Sequence, residues 1–380
     1  MASNPSDTVA DVFADPMGFL AREMTRGVKR SWNLTRHMLG IDRAATGATP
    51  RDAVWRSGKS VLYRYRSDAV TVGEPLLLVM SLVSRSFILD LQPGNSFVEH
   101  LRDAGFDVFL LDWGVPDEAE AGFDLSTYAD ILLPAAVAEA DRLGGHQGVN
   151  VFGYCYGGVL SLLYASRHTS DPINTLTVMA TPVDFAEMPA ALGGVGRHGV
   201  DPQHLLDHTG NVPAPTVRAG FIGLSPTADL TTVVDFWEHL EDDRFLSNYQ
   251  AMTSWTRNHI PFPGAAFVQS TEVLVDGNGF VNDDIVIDGR PRHLADITVP
   301  FHNVIAERDH IVPPTSTRGL GELVGSVDVT ETELPAGHVG LIVGSGGRRR
   351  CMPAMSEWIA ARSRRLDEPR SNQRAHAAAV

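Results

Sequence analysis

The amino-acid sequence predicts a doubly wound, mostly parallel α/β domain with an inserted, mainly helical cap, and two observations lead to this fold class. First, short continuous apolar runs recur along the chain, at 76–80, 108–111, 150–152, 176–179 and 301–305. Such runs are typical of strands that are covered on both faces, as in a parallel sheet with crossover helices. Second, a helical pattern at 127–143, with Ser126 as candidate cap and Gly144 and Gly145 as its stop, separates two of these runs. Alternating strands and helices indicate a doubly wound core.

The alternation of strands and helices also sets the expected domain boundaries. We expect an N-terminal helical arm at 1–60, the two parts of the core at 61–185 and 292–362, a cap insertion at 186–291, and a flexible tail at 363–380. The region assigned to the cap lacks the alternation of strands and helices and contains many glycines and prolines. It is too long for a structureless connection, so we predict that it folds as a mainly helical cap.

Residues 16–43 of the arm have the pattern of a basic amphipathic helix. Leu20, Met24 and Val28 recur at four-residue spacing, and basic side chains lie between them. Such a helix can bind a partner or a membrane-like surface. More commonly it packs its apolar side on its own domain, which is the outcome we favour here.

The composition excludes several classes of protein. Of the 380 residues, 43% are apolar and 20% are charged, which are ordinary values for a globular chain. A net charge of −15 argues against nucleic-acid binding, because phosphate recognition needs a basic surface. Two cysteines make neither a disulfide framework nor a zinc site, and we expect no metal. No run has the roughly 18 apolar residues of a membrane span, and none resembles a signal peptide. We therefore expect a cytoplasmic protein.

The most informative segment is 153–157, with the sequence Gly-Tyr-Cys-Tyr-Gly, which an apolar run precedes and a helical pattern follows. This is the pattern of a nucleophile elbow, with cysteine in the place of serine, and its tight turn needs glycine on both sides. The amides at the start of the following helix favour a thiolate and an oxyanion. A free cysteine is commonly a small buried hydrophobe, which is what we expect of Cys351. Cys155 is the candidate nucleophile.

An elbow nucleophile is followed in the chain by an acid and then by a histidine. Asp309 comes just after the apolar run 301–305, at the edge of the sheet where open α/β folds place their sites. Glu307 is a substitute acid, but we favour Asp309. His338 lies in a glycine-containing loop after a strand-like segment, from which a general base could reach the elbow. His310, beside Asp309, is interpreted as structural.

The elbow also needs two backbone amides that stabilise an oxyanion. One belongs to the residue after the nucleophile, here Tyr156, and the second to the loop that follows the first core strand. That loop is 81–85, and we expect Val83 to provide the second amide.

These residues resemble a known family. The segment 153–158 is similar to the cysteine lipase box of polyhydroxyalkanoate synthases. Further segments match the family's motifs in the same order, at 87–94, 108–114, 181–185, 309–314 and 337–340. The resemblance covers residues 55 to 362 approximately, and the size of the chain resembles the short catalytic subunits that act with a separate second subunit.

The resemblance implies an α/β-hydrolase fold with Cys155, Asp309 and His338 as the catalytic triad, and Trp255 as a substrate-binding residue of the cap. Asp309 would orient His338 or help to activate the hydroxyl of the next acyl unit. The implied substrates are a hydroxyacyl-coenzyme A and the growing polyester, with coenzyme A as leaving group and no retained cofactor. The implied partners are a second copy of the chain or a second synthase subunit, and the implied location is the surface of a polyester granule.

Two other functions remain open at this stage. The same triad would serve a polyester depolymerase or a thioesterase, because the choice between water and a hydroxyl depends on the closure of the cap. A non-catalytic, granule-associated binding protein could keep the fold, but the intact order of the triad residues argues against it.

Overall fold

The computed structural model describes residues 15–39, 45–67, 69–189, 195–196, 199–224, 236–237 and 239–366. Two compact units share these residues. One combines Met1–Ala45 with Thr227–Ser254, and the other combines Thr46–Pro226 with Trp255–Val380. The first unit therefore groups part of the expected cap with the expected arm, and the second contains the sheet.

The described part of the chain forms ten strands, numbered here in chain order. They are β1 Arg51–Ser57, β2 Ser60–Tyr65, β3 Leu76–Val79, β4 Val108–Asp112, β5 Val149–Tyr154, β6 Ile173–Met179, β7 Val286–Ile287, β8 Arg290–Pro291, β9 Phe301–Ala306 and β10 Val329–Leu334. Strands β7 and β8 form a small hairpin of their own.

The other eight strands form one sheet with the order β1-β2-β4-β3-β5-β6-β9-β10. Six of these strands run parallel to one another: β4, β3, β5, β6, β9 and β10. The other two pair in an antiparallel way, β1 with β2 and β2 with β4. All residues of β3, β5 and β9 are buried. The apolar runs in the sequence thus correspond to central strands covered on both faces, as predicted.

Both ends of the core extend beyond the boundaries that we drew from the sequence. The edge strand β1 lies within the stretch assigned to the arm. Its sequence has few apolar residues because the strand is largely exposed, so it has no buried run to reveal it. At the other end, Gly73 donates to the Arg364 carbonyl, and Leu366 donates to the Thr71 carbonyl. Residues 363–366 are therefore paired, and 367–380 lie outside the described residues.

The described helices are distributed around the sheet and through the insertion. The α-helices are α1 Pro16–Met38, α2 Phe97–Asp103, α3 Leu133–Gly144, α4 Tyr156–Ala165, α5 Ala214–Leu224, α6 Asp243–Arg257, α7 Gly264–Ser270, α8 Gly279–Asn282, α9 Pro314–Thr317, α10 Leu320–Leu323, α11 Gly344–Gly346 and α12 Met352–Ala361. Segments Thr127–Leu132, Thr271–Asp276 and Gly347–Cys351 are π-helical. Short 3₁₀ helices are Ser86–Asp90, Phe185–Glu187, Pro202–Leu205, Leu294–Asp296 and Val339–Leu341. The described part of the insertion is mainly helical, as predicted.

The helix that separates β4 from β5 begins differently from our prediction. Ser126 does not cap it, because this residue is itself helical and its hydroxyl donates to Asp124. The Asp124 carboxylate instead accepts from the Thr127 amide and hydroxyl, both at 2.9 Å, and so binds the open amide end of the helix. The C-terminal end of this helix is as predicted, because Gly145 terminates α3 with a left-handed φ of 85°.

The expectation that α1 packs its apolar side on its own domain is wrong. Leu20, Met24 and Val28 are all more than half exposed. Among the residues of α1 whose burial is described, the buried one is polar: Asn33 donates to the Leu240 carbonyl at 3.0 Å within the same compact unit. The helix is therefore bound to its own unit by its polar face.

We predict that burial of His302, in β9, makes the free energy of unfolding depend on pH. Burial and the nearby Arg362 charge lower the pKa of His302 in the folded protein to about 4, whereas in the unfolded chain it has its ordinary value of 6.5. Below pH 6.5 the unfolded chain therefore binds a proton more readily than the folded protein does. The stabilising effect is present above pH 6.5 and is lost as the pH falls towards 4. Between pH 7.5 and 5 this residue should reduce the free energy of unfolding by about 2 kcal/mol.

Urea denaturation at both pH values tests this prediction when the parent is compared with His302→Gln, which cannot titrate there. The variant should be less stable at pH 7.5 but should lose less stability at pH 5. Equal losses in the two proteins would contradict the assignment.

Candidate active site

Cys155 lies in a sharp turn between β5 and α4. Its backbone has φ 55° and ψ −123°, a conformation that costs energy for a residue with a side chain. Two hydrogen bonds fix this turn. The Cys155 amide donates to the Met179 carbonyl in β6, and the Cys155 carbonyl accepts from the Gly158 amide, both at 2.9 Å. The thiol is consequently held at the carboxyl edge of the sheet and is only partly buried.

Three glycines permit this turn. A Cβ on Gly157 would lie 2.1 Å from the Val79 carbonyl oxygen, and one on Gly153 would lie 2.5 Å from the Gly158 Cα. A Cβ on Gly158 would lie 1.9 Å from the Thr181 hydroxyl oxygen. These distances are far below van der Waals contact, so only glycine allows the backbone of the elbow to approach its neighbours in this way.

The helix α4 contributes to the electrostatics at the nucleophile. It starts at Tyr156, directly after Cys155, and every residue from Gly157 to Ala165 is buried. The first amides of a helix have no partner within the helix and carry a partial positive charge. The amide end of α4 therefore favours a negative charge at the elbow.

Asp309 and His338 form a buried pair. Asp309 follows the last residue of β9 by a short turn, and His338 lies in the loop after β10. The His338 Nδ1 is 2.7 Å from Asp309 Oδ2, while Asp309 Oδ1 accepts from the amides of Ile311 and Val312 at 2.8 and 2.9 Å. Both carboxylate oxygens are thus occupied, and the orientation of the imidazole ring is fixed.

The Cys155 side chain is also close enough to the imidazole of His338 to affect its pKa. Burial by itself would lower the pKa of His338, but the negative charge of Asp309 and that of a Cys155 thiolate raise it above its ordinary range. The site therefore favours the protonated form of His338. Cys155, Asp309 and His338, which are far apart in the chain, are thus brought together at the carboxyl edge of the sheet.

The loop after β3 lies beside the elbow, where an oxyanion hole requires it. This follows from Gly157, which packs directly against the backbone of Val79 and Met80. The Val83 amide makes only a long hydrogen bond, 3.4 Å, to the Ser81 hydroxyl. Its part in an oxyanion hole, like that of the Tyr156 amide, stays a prediction.

Trp255 is near the C-terminal end of α6, and its indole nitrogen donates to the Arg85 carbonyl at 3.0 Å. It thereby connects the end of this helix to the loop that follows β3. A substrate-binding role for Trp255 stays a prediction.

Two contacts at the site were not foreseen. The Tyr154 hydroxyl donates to the His338 carbonyl at 3.4 Å, and the two rings lie 5.1 Å apart. The Tyr156 hydroxyl is hydrogen-bonded to Ser270 at the end of α7. The tyrosines flank the nucleophile in sequence, which was a signal of proximity, but their partners are more than a hundred residues away and no local pattern indicates them.

The acid, histidine and cysteine that the sequence analysis did not assign to the triad are Glu307, His310 and Cys351. Glu307 and His310 are both exposed, whereas Asp309 between them is buried. Cys351 is buried in the core. Within the described residues no group of three or more histidine, cysteine or acidic side chains could hold a metal ion. None of the described helices is long and apolar enough to cross a membrane.

The fold and the elbow define an α/β-hydrolase-fold protein with a cysteine at the nucleophile position. A family model described as the alpha/beta hydrolase fold matches residues 75–198. Among solved structures, a thermophilic esterase from Thermogutta terrifontis is similar, with a TM-score of 0.51 and 16% identity over 83% of this chain and all of the esterase chain. At that identity the similarity shows the fold alone.

Similar sequences give the family. The poly(3-hydroxyalkanoate) polymerase subunit PhaC of Allochromatium vinosum is 32% identical over 93% of this chain and 99% of its own length. PhaC of Synechocystis is 32% identical over 85% of this chain and 88% of its own length. The chain belongs to the family of poly(3-hydroxyalkanoate) polymerase subunits.

We predict that Gly157→Ala lowers the free energy of unfolding by about 3 kcal/mol or more, because the new methyl group would overlap the Val79 carbonyl. The matched control is Gly220→Ala in α5, where a Cβ would have no neighbour within 4 Å. The control should gain about 0.5–1 kcal/mol from its lower backbone entropy in the unfolded chain. Chemical denaturation measures both, and equal effects would contradict the packing argument.

We further predict that Asp309→Asn reduces the reactivity of Cys155 towards iodoacetamide. Loss of the carboxylate removes a charge that raises the pKa of His338, so less imidazolium is available at pH 7 to stabilise a thiolate. Alkylation, followed by mass spectrometry of the peptide that contains Cys155, should slow about tenfold. Glu307→Gln is the control and should react like the parent. A rate in Asp309→Asn equal to that of Glu307→Gln would show that the buried pair does not act on the thiol.

Proposed function

We propose that this chain polymerises hydroxyacyl groups from coenzyme A thioesters, with Cys155 as the residue that carries the acyl group. One observation carries the proposal: a cysteine at a strained elbow interacts electrostatically with a buried, hydrogen-bonded histidine–aspartate pair. Membership of the polymerase family supports the choice of substrate. Coenzyme A enters as part of the substrate and leaves as a thiol, so it is not a retained cofactor.

In the first half-reaction His338 takes the thiol proton of Cys155, and the thiolate attacks the carbonyl carbon of the thioester. A bond forms between the Cys155 sulfur and the acyl carbon, and the bond between that carbon and the coenzyme A sulfur breaks. The departing thiolate takes the proton from His338. One thioester replaces another, so the step is close to balanced in energy and needs no further reactant.

In the second half-reaction the hydroxyl of another hydroxyacyl unit attacks the acyl group on Cys155. His338 accepts the hydroxyl proton, an ester bond forms, and the bond to the Cys155 sulfur breaks. The departing Cys155 thiolate then takes the proton from His338. The resulting ester contains one more acyl unit, and the thiol is ready for the next cycle.

For Asp309 the geometry favours an orienting role over direct activation of the hydroxyl. One of its oxygens accepts from His338 and the other from two backbone amides, and the residue is 5% exposed. At this exposure a substrate hydroxyl has little access to the carboxylate. The carboxylate thus stabilises the imidazolium and sets the tautomer that faces Cys155.

Backbone amides complete the proposed site. We assign the Tyr156 amide, at the first position of α4, and the Val83 amide to the oxyanion of each tetrahedral intermediate. The long hydrogen bond from Val83 to Ser81 supports this assignment, because a weak bond is easily exchanged for a stronger one to an anion. Trp255, bound to the loop after β3, is assigned to the substrate-binding wall of the cap.

The proposal extends to the setting in which the chain works. We assign it to the cytoplasm, at the surface of the polyester that it makes. We also propose that it acts in an assembly, either with a second copy or with a second synthase subunit.

The test supplies 3-hydroxybutyryl-coenzyme A and measures both thiol release and the product. We expect polymer, with Cys155→Ala reducing thiol release by more than about 1000-fold, because the acyl group then has no acceptor. Cys351→Ala is the matched control and should retain the parent's rate. Likewise, His338→Gln should abolish acylation in a single turnover, whereas His310→Gln, next to Asp309 but exposed, should not.

Free hydroxybutyrate in place of polymer would make the chain a thioesterase and overturn the polymerase proposal. Residual activity of Cys155→Ala within tenfold of the parent would remove Cys155 as the nucleophile. Greater loss in His310→Gln than in His338→Gln would show that the base is misassigned.

A further inference from the structure

The loop after β3 has a buried start and a buried end, with the proposed oxyanion donor between them. Met80 and Ser81 are almost inaccessible to solvent, and so is Ser86, where a short 3₁₀ helix begins. Val83 lies midway, three residues after Met80 and three before Ser86, and is only partly buried. The position of its amide relative to Cys155 therefore depends on how the two buried ends are held.

Trp113 holds the first end of this loop. It directly follows β4, is 7% exposed, and its indole nitrogen donates to the Met80 carbonyl at 2.7 Å. The same peptide packs against the elbow, because a Cβ on Gly157 would lie 2.9 Å from the Met80 carbonyl carbon. The Tyr128 ring meets the indole edge-on, with the ring centroids 5.2 Å apart, and so fixes the plane of the indole. The peptide after Met80 is thus in contact with both Trp113 and the first turn of α4.

Asp112, the last residue of β4, holds the second end of the loop. One of its carboxylate oxygens accepts from the Ser86 hydroxyl at 2.6 Å, and the other accepts from the Gly114 amide at 2.9 Å. A hydrogen bond to a carboxylate is stronger than one between neutral groups. Two consecutive residues at the end of one strand therefore bind both ends of the loop that carries Val83.

We propose that Trp113 and Asp112 are positioning residues, which set the place of the Val83 amide in the oxyanion hole. Trp113 acts on the start of the loop and Asp112 on its end. The segment 108–114 that contains them has no other part in the mechanism above. An oxyanion hole is effective only when its donors are already held where the charge develops. The inference rests on the role proposed for Val83, and it adds the side chains that give this amide its position.

A purely structural role for Trp113 would have different consequences, and Trp358 in α12 offers the comparison. Trp358 is 9% exposed, and its indole nitrogen donates to the Thr330 hydroxyl at 2.8 Å, near the start of β10 and at the edge of the sheet opposite to the site. Replacement of either tryptophan by phenylalanine removes a buried hydrogen bond and keeps an aromatic ring. Both variants should lose stability, but only Trp113→Phe should affect the oxyanion.

Two reagents that react with the Cys155 thiolate separate the oxyanion from the thiol. With iodoacetamide the sulfur bonds to the methylene carbon and iodide leaves, so no oxyanion forms. With a propyl trifluoromethyl ketone the sulfur bonds to the carbonyl carbon, and the carbonyl oxygen becomes the oxyanion of a reversible tetrahedral adduct. Affinity for the ketone therefore depends on the oxyanion hole, whereas the rate of alkylation does not.

Trp113→Phe should weaken binding of the ketone about tenfold, less than the loss of a whole oxyanion donor would, because the amide is displaced and not removed. Its rate of alkylation should equal that of the parent, and Trp358→Phe should match the parent in both assays. The dissociation constant of the ketone is measured from its protection of Cys155 against iodoacetamide, by mass spectrometry of the peptide that contains this residue. Urea denaturation verifies that both variants fold.

Ser86 gives a second test at the other end of the loop, which holds even where Trp113→Phe does not fold. Ser86→Ala loses the hydroxyl that Asp112 binds and should also weaken binding of the ketone. Ser86→Thr keeps a hydroxyl and should bind the ketone like the parent. With 3-hydroxybutyryl-coenzyme A as substrate, Trp113→Phe and Ser86→Ala should lower kcat about tenfold and leave KM within about twofold of the parent's value.

Equal affinity for the ketone in Trp113→Phe, Trp358→Phe and the parent would overturn the proposal, and so would a parent that does not bind the ketone. A matching fall in the rate of alkylation would show that Trp113 acts on the thiol and not on the oxyanion, which also refutes the proposal. The ketone assay needs no turnover. A parent that binds the ketone as expected but makes no polymer would therefore refute the polymerase proposal and leave this inference standing.

Discussion

The close approach of backbone to backbone at the nucleophile turn is the constraint on which the rest of the site depends. Gly157 packs against the carbonyl of Val79, and Gly158 packs against Thr181, so the turn after β5 is enclosed by the ends of β3 and β6. The sheet must present these three strand ends side by side for the turn to exist. The left-handed backbone of Cys155 costs free energy, which the surrounding hydrogen bonds and packing offset. The position of the Cys155 thiol thus depends directly on the arrangement of these strands.

A second feature of the site is the burial of the charged groups Asp309 and His338 near the Cys155 thiol. Asp309 and His338 are both nearly inaccessible to water, so their interaction is screened far less than a surface ion pair would be. The two amides that bind Asp309 compensate for part of the cost of burying its carboxylate. Tyr154 adds a contact to the loop that carries His338, from the strand that carries the nucleophile. The position of the base is therefore tied to the elbow by both strand and loop.

Most of the core and the sharp turn at Cys155 could be predicted because their signals are local; the roles of Cys155, Asp309 and His338 stay predictions. Buried parallel strands need apolar runs, and the elbow needs its glycines. Exposed elements gave no such signal, which is why β1 was assigned to the arm. Asp124 was missed as a cap because several residues nearby can accept from an amide, and the choice depends on the rotation of the first turn. The exposure of Leu20, Met24 and Val28 could not be predicted either, because the face of α1 that is buried is set by Asn33, which binds Leu240 two hundred residues away.

The order of β9 and β10 in the chain has a consequence for biosynthesis. All the backbone groups that shape the elbow come from residues before Pro182, whereas the carboxylate and the imidazole enter the site only with β9 and the loop after β10. Synthesis proceeds from the N-terminus, so a nascent chain holds the thiol long before it holds the base. Strand β9 also pairs with β6 across a large sequence separation, which makes this pairing slow to form. Under the proposed function, activation of the thiol is thus coupled to completion of the sheet.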